Sequence, residues 1–147
     1  MDIQTLISLD HTQCGVQCNS KKRILEIISN IAADNNEHIS ATTVFESLMS
    51  REKKGSTGIG NGIALPHGRL SELTSVVAIV VTSTPAINFD AIDDKPVDIF
   101  FTLLVPAERT DVHLKTLSSV AKKLNDKQIV KAIRNATTSD DIIAALA

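Results

Sequence analysis

Two runs constrain the fold of this chain more than any other feature. Val76 to Thr82 and Val97 to Val105 are mostly apolar at successive positions, so neither alternating face of a strand through them suits water. The first is nearly all β-branched and too short for a good helix. Strands buried on both faces belong in the middle of a sheet covered on each side by helices.

The rest of the sequence supplies those helices. Ser20 is a good N-cap for a helix to about Ala33, with Ile24, Ile27, Ile28 and Ile31 on one face. Ser40 caps a second to about Ser50, with Val44/Leu48 and Phe45/Met49 as i, i+4 pairs. Thr110 caps a third to about Leu124, striped by Leu114, Leu117, Ala121 and Leu124. Helices near Lys127 to Asn135 and Ser139 to Leu146 follow, the latter opened by the capping-box-like Thr138-Ser139-Asp140-Asp141. Thr5 to Leu9 reads as a helical turn, the stretch through Val16 and Gln17 as irregular or extended, the residues between Pro66 and Val76 as a polar turn, Ile87 to Phe89 as a short edge strand, and Asp93 to Pro96 as a turn. The expected fold class is α/β: a single-domain sandwich over residues 1–147, core from about residue 5, with a small mixed sheet flanked by helices on both faces.

Charge and composition narrow the function. With 15 Lys+Arg against 17 Asp+Glu, there is no basic excess to hold nucleic acid or an anionic membrane. Trp and Tyr are absent, which argues against base stacking. No apolar run reaches the length of a spanning helix and Met1-Asp2-Ile3-Gln4 carries no signal pattern, so the expected location is cytoplasmic, without membrane insertion. Cys14 and Cys18 form a C-x3-C pair with no second pair, which reads as reduced thiols, not a zinc site. No cofactor is implied.

Ser56 to Gly68 holds four of the six glycines and ends on Leu65-Pro66-His67-Gly68. Gly58, Gly60 and Gly62 alternate, but the dinucleotide fingerprint needs G-x-G-x-x-G between strand and helix, and here a helix leads into a strand. There is no Gly-Lys-Ser/Thr ending of a P-loop. None of His11, His38, His67 and His113 stands four residues from another, so the spacing does not ask for a metal. Ser56 and Ser83 lie outside any nucleophile-elbow pattern. What remains is His67 as nucleophile: a largely neutral imidazole at pH 7 can attack phosphorus and store a phosphoryl group as a P–N bond. Such a site needs anion contacts and little else. Arg51 offers a fork of donors, Ser56 and Thr57 hydroxyls, and the glycines, Gly68 included, backbone N–H groups. His113 sits in the first turn of its helix, where an anion is favoured, and is expected to face the phosphate. The plain alternative, an interaction module with an unreactive histidine, is left open by these residues.

Glu52, six residues, then Ile59-Gly60-x-x-Ile63-Ala64-Leu65-Pro66-His67-Gly68 resembles the phosphorylation-site signature of the mannitol/fructose-type enzyme IIA domains of the bacterial phosphotransferase system. The likeness continues through Ser50-Arg51-Glu52, Phe89-Asp90-Ala91, Leu103-Leu104-Val105-Pro106 and His113-Leu114, and is greatest to the nitrogen-related branch of that family. The resemblance implies the mannitol-type IIA fold and phosphorylation of His67 on Nε2 by a histidine phosphocarrier protein, with Arg51 and His113 stabilising the phosphate. It implies a phosphotransferase of the relay type, without metal. Two roles fit: a regulator of target proteins such as transporters or sensor kinases, or an intermediate passing phosphate to a sugar permease. A chain with no fused permease domain favours the regulator. Phosphorylation would add roughly two negative charges to a surface around Ile59, Ile63 and His67 and repel a docked partner. Exposed Ile or Phe would serve such a partner or a homodimer equally well.

Overall fold

The computed structural model describes residues 3–108 and 110–147, with the side chains of Thr110 and Leu114 outside that description. The expected Thr110 cap, the Leu114 position of the stripe and Met1-Asp2 therefore lie outside the described residues. The chain runs α1 (Ile3–Leu6), a 3-10 turn (Leu9–His11), β1 (Thr12–Val16), α2 (Lys21–Asp34), α3 (Ala41–Glu52), β2 (Gly58–Gly60), β3 (Ile63–Ala64), β4 (His67–Leu70), β5 (Val77–Ile87), β6 (Val97–Pro106), α4 (Thr110–Lys123), α5 (Lys127–Asn135) and α6 (Ser139–Leu146). The expected caps act: Ser20 and Ser40 side chains accept from the Arg23 and Thr43 N–H groups at 3.1 Å, and Thr138 with Asp141 closes a capping box.

The two apolar runs pair antiparallel at the centre of a six-stranded mixed sheet. β1 lies parallel to the outer side of β5, while β3 and β4 lie parallel to the other side of β6, with β2 beyond β3. Alternation along β5 and β6 builds two cores. Ile79, Val81, Phe100 and Leu104 pack with α2 and α3 through Ile24, Leu25, Ile28, Val44 and Leu48. Val80, Ile99, Phe101 and Leu103 pack with Val120, Val130, Ile133, Ile142 and Leu146 of α4, α5 and α6. Helices thus cover both faces of the mixed sheet, as the apolar runs require. Among the described residues no helix is long and apolar enough to cross a membrane.

Three local readings need correction. Ile87 ends the long β5 and pairs with Val97, and Phe89 beyond it is in no strand; its ring is fully buried edge-on to Phe100, centroids 5.4 Å apart. The polar stretch after Pro66 is not merely a turn: His67–Leu70 is a strand whose Gly68 and Leu70 face inward. Ile63 is only 2% exposed, so it is core and not part of a docking surface.

The pairing of β3 and β4 with β6 positions the site. Ile63 lies opposite Ile99, Ala64 opposite Phe100, His67 opposite Leu103 and Gly68 opposite Leu104, a constant offset. Residues 63–70 are therefore one extended run along β6, interrupted as strand only at Leu65-Pro66. Pro66 has no N–H to give, but its carbonyl accepts from the Leu103 N–H at 3.0 Å and keeps the register.

Candidate functional site

The half-buried imidazole of His67 is engaged at both nitrogens. Nδ1 lies 3.0 Å from the carbonyl of Leu65, and Nε2 lies 3.2 Å from Nε of Arg51. A carbonyl only accepts and a guanidinium only donates. The partners therefore assign the neutral tautomer with the proton on Nδ1 and the lone pair on Nε2. Arg51 stands in the last turn of α3 and is braced by a second bond, Nη1 to the Gly55 carbonyl at 2.8 Å. Its charge is permanent, so the contact with Nε2 persists across the range in which the ring stays neutral.

His67 and Arg51 open into a cleft of about 670 Å³ between α3, β4 and the start of α4. His113 lines the same cleft, and its Nδ1 is buried without a hydrogen-bond partner among the described residues. Arg51, Lys54 and Arg69 bring positive charge to the walls, Glu46 and Glu72 negative charge. The structure thus brings together Arg51, His67, Gly68 and His113 of the expected residues.

It does not bring Ser56 and Thr57 to them. The Ser56 hydroxyl donates to the Phe89 carbonyl at 2.8 Å and accepts the Gly58 N–H at 3.1 Å, so that glycine N–H is also taken. The Thr57 hydroxyl donates to the buried carboxylate of Glu52. Neither residue lines the cleft. The glycines serve close approach instead: a Cβ at Gly58 would meet that of Ala91 at 2.7 Å, and one at Gly68 would collide with the Ser47 hydroxyl. Gly68 lets β4 lie against α3, where Ser47 donates to the Arg69 carbonyl at 3.2 Å. Ile59 is 44% exposed but lies on β2, away from the cleft lining.

Residues 5–147 match the family model described as phosphoenolpyruvate-dependent sugar phosphotransferase system, EIIA 2. The chain belongs to this family. Among its relatives, the nitrogen regulatory protein of Escherichia coli strain K12 is 49% identical over 144 residues, covering 97% of this chain and 87% of the relative. That of Pseudomonas aeruginosa is 40% identical over 138 residues, covering 94% and 90%. Among solved structures, nitrogen regulatory protein IIA-Ntr from Neisseria meningitidis superposes with a TM-score of 0.91 at 34% identity, covering 99% of each chain. Mannitol IIA from Escherichia coli shares the fold, with a TM-score of 0.81 at 16% identity over 96% of this chain and 99% of that one.

Several parts of this enzyme IIA cleft carried no recognisable signal. The Leu65 carbonyl that holds Nδ1 is backbone, which no side-chain motif reports. Arg69 follows from alternation once β4 is known, since it stands two residues beyond His67. Lys54 is three residues past Arg51, just beyond the end of α3. Ser47 was detectable only as the neighbour that makes Gly68 necessary.

Proposed function

We propose that this enzyme IIA is a phosphorylation-controlled regulator that accepts a phosphoryl group on His67 Nε2 from a histidine phosphocarrier protein. The observation that carries this reading is the pair of opposed contacts on the His67 ring, which leaves the lone pair on Nε2 beside a cation at the cleft. The Nε2 lone pair attacks phosphorus, the donor's P–N bond breaks, and its electron pair returns to the donor imidazole. The proton on Nδ1 stays where it is, held by the Leu65 carbonyl. Once Nε2 is bonded to phosphorus, the Arg51 Nε–H has lost its acceptor and turns to a phosphoryl oxygen, a stronger charge-assisted bond. His113 supplies a second donor from the far wall. Positioning and electrostatic stabilisation of this kind are what phosphoryl transfer chiefly requires.

The nitrogen regulatory relatives support regulation as the output. A partner seated over the cleft of the unmodified protein would meet roughly two added negative charges after phosphorylation, and would be released unless it offered a matching cation. The transport reading draws on the fructose-specific EIIA component of Haloferax volcanii, 27% identical over 99% of this chain and 95% of that protein.

Incubation with phosphoenolpyruvate and the upstream relay proteins is expected to give an acid-labile, base-stable label that His67→Ala abolishes. Label that survives His67→Ala, or that maps to Nδ1, overturns the assignment. Efficient onward transfer from the labelled protein to a fructose- or mannitol-type permease component would move its role from regulation to transport.

A further inference from the structure

Helix α3 ends on two adjacent charged residues, and each leads to a different nitrogen of His67. Arg51 reaches Nε2 directly. Glu52 turns inward: it is 6% exposed, and its carboxylate takes an ion pair from Lys21 Nζ at 2.9 Å. Both carboxylate oxygens also accept the Thr57 N–H, at 3.2 and 3.1 Å, and one accepts the Thr57 hydroxyl. Lys21 is itself fixed, donating to the Phe89 carbonyl at 3.3 Å with its ammonium 4.6 Å from the centroid of the Phe89 ring. A buried carboxylate with an ion pair and two distinct donor groups is costly to disturb, because losing one partner leaves a charge uncompensated. Thr57 is therefore pinned.

The consequence reaches the imidazole through backbone. The Thr57 carbonyl accepts the Leu65 N–H at 3.0 Å, and the Leu65 carbonyl accepts Nδ1–H of His67 at 3.0 Å. We propose that Glu52 and Lys21 are a positioning pair for His67, acting through Thr57 and Leu65 to hold the carbonyl that keeps the ring proton on Nδ1. A free histidine side chain favours the opposite tautomer, with the proton on Nε2 and no lone pair there to attack. Which nitrogen is protonated follows from the hydrogen bond that the other one makes. The ion pair thus keeps the nucleophilic nitrogen unprotonated while Arg51 keeps it occupied, and the two ends of the ring are governed by neighbouring residues of one helix terminus. Only the consequence for transfer rests on His67 as the phosphoryl acceptor; the tautomer is a property of the free protein.

The test is the 15N chemical shifts of the His67 ring nitrogens, read above the titration of the ring, together with phosphoryl-acceptance kinetics. The wild type is expected to show Nδ1 protonated; a spectrum with Nε2 as the protonated nitrogen overturns the proposal without any variant. Lys21→Met/Glu52→Leu removes both charges together, the change a buried pair tolerates best. It is expected to raise the ratio of Nε2–H to Nδ1–H about tenfold and to slow acceptance about tenfold at unchanged half-saturation by the donor. Lys21→Arg alone, with Glu52 in place to keep the ion pair, is expected to leave both readouts as in the wild type. Should the double variant not fold, Glu52→Gln is read in the same way. An unchanged tautomer ratio in a folded variant overturns the proposal, whatever happens to the rate. A shifted tautomer in a protein that is not labelled at His67 would support the positioning while overturning the acceptor assignment.

Discussion

Arg51 and His67 are joined by a 3.2 Å hydrogen bond between Nε of the guanidinium and Nε2 of the imidazole, in which the arginine donates. While that bond lasts, Nε2 carries a lone pair and no proton. On the proposed transfer, the N–H that masks the lone pair would be released once Nε2 bonds to phosphorus, so ground-state contact and phosphate contact would be alternatives for one donor. An interaction that becomes stronger as charge collects on the phosphoryl oxygens favours the transition state over the resting enzyme.

Arg51→Ala is therefore expected to slow phosphoryl acceptance about a hundredfold, the scale of removing one preorganised donor. Arg51→Lys keeps the charge but loses the fork, and should recover only part of the rate. Because Arg51 lies at a half-buried helix end, unfolding stability should change by about 1 kcal/mol or less. Rapid-quench labelling and urea unfolding of the same samples check both halves, and unaltered kinetics would remove Arg51 from the mechanism.

His113 offers a cleaner separation of stability from function. Its Nδ1 is buried and without a hydrogen-bond partner among the described residues, so truncation at that atom removes no known protein hydrogen bond. His113→Ala should cost about 1 kcal/mol or less in urea unfolding, from packing alone. If His113 donates to the phosphoryl group as proposed, acceptance should slow about tenfold, the worth of one ordinary hydrogen bond. A loss of stability with an unchanged transfer rate would make His113 a packing residue.

The strands at the centre were legible because β-branched and apolar residues fill both alternating faces of β5 and β6, a pattern that little else produces. β4 was not, because its inward positions are Gly68 and Leu70 and its outward ones His67 and Arg69, too few and too polar to show a period. The proximity of Arg51, His67 and His113 could be argued from chemistry, since a phosphoryl acceptor needs cations and donors. Ser56 and Thr57 show the limit of that reasoning: adjacency in sequence says nothing about direction. Local backbone pairing sends their hydroxyls to Phe89 and Glu52. Glu52 stood in the signature, but its contact with Thr57 runs through a fold-dependent turn.

Gly68 makes a steric prediction. A methyl group there would collide with the Ser47 hydroxyl and lie 3.1 Å from the Ser47 Cβ, so either the hydroxyl swings out of its bond to the Arg69 carbonyl or β4 and α3 give way slightly. Overpacking of this kind costs about 1 to 3 kcal/mol. Gly68→Ala should lower the urea midpoint accordingly, and Ser47→Ala in the same chain should recover part of the loss by removing the nearest atom. A double-mutant cycle measures the coupling, and strict additivity would show that the two residues do not constrain each other.

His11 gives the fold a pH dependence remote from the cleft. Its Nε2 lies 3.1 Å from the Asn36 amide nitrogen, which also donates to the Ala32 carbonyl at 2.7 Å, and its Nδ1 lies 3.0 Å from the Ser8 hydroxyl. Nε2 is thus an acceptor and the ring is neutral, latching the segment before β1 to the end of α2. Burial pushes the His11 pKa below its ordinary value of 6.5, against the opposing pull of the Asp10 charge. Between the lowered folded value and the ordinary one, the unfolded chain binds the proton that the folded protein refuses, so stability rises with pH there. This contribution is fully present above the ordinary value and is lost as pH falls through the folded one. The urea midpoint should drop as pH falls below the ordinary histidine range, and the drop should be smaller in His11→Gln, which has no group to titrate. Equal drops in the two proteins would place the acid sensitivity at another residue.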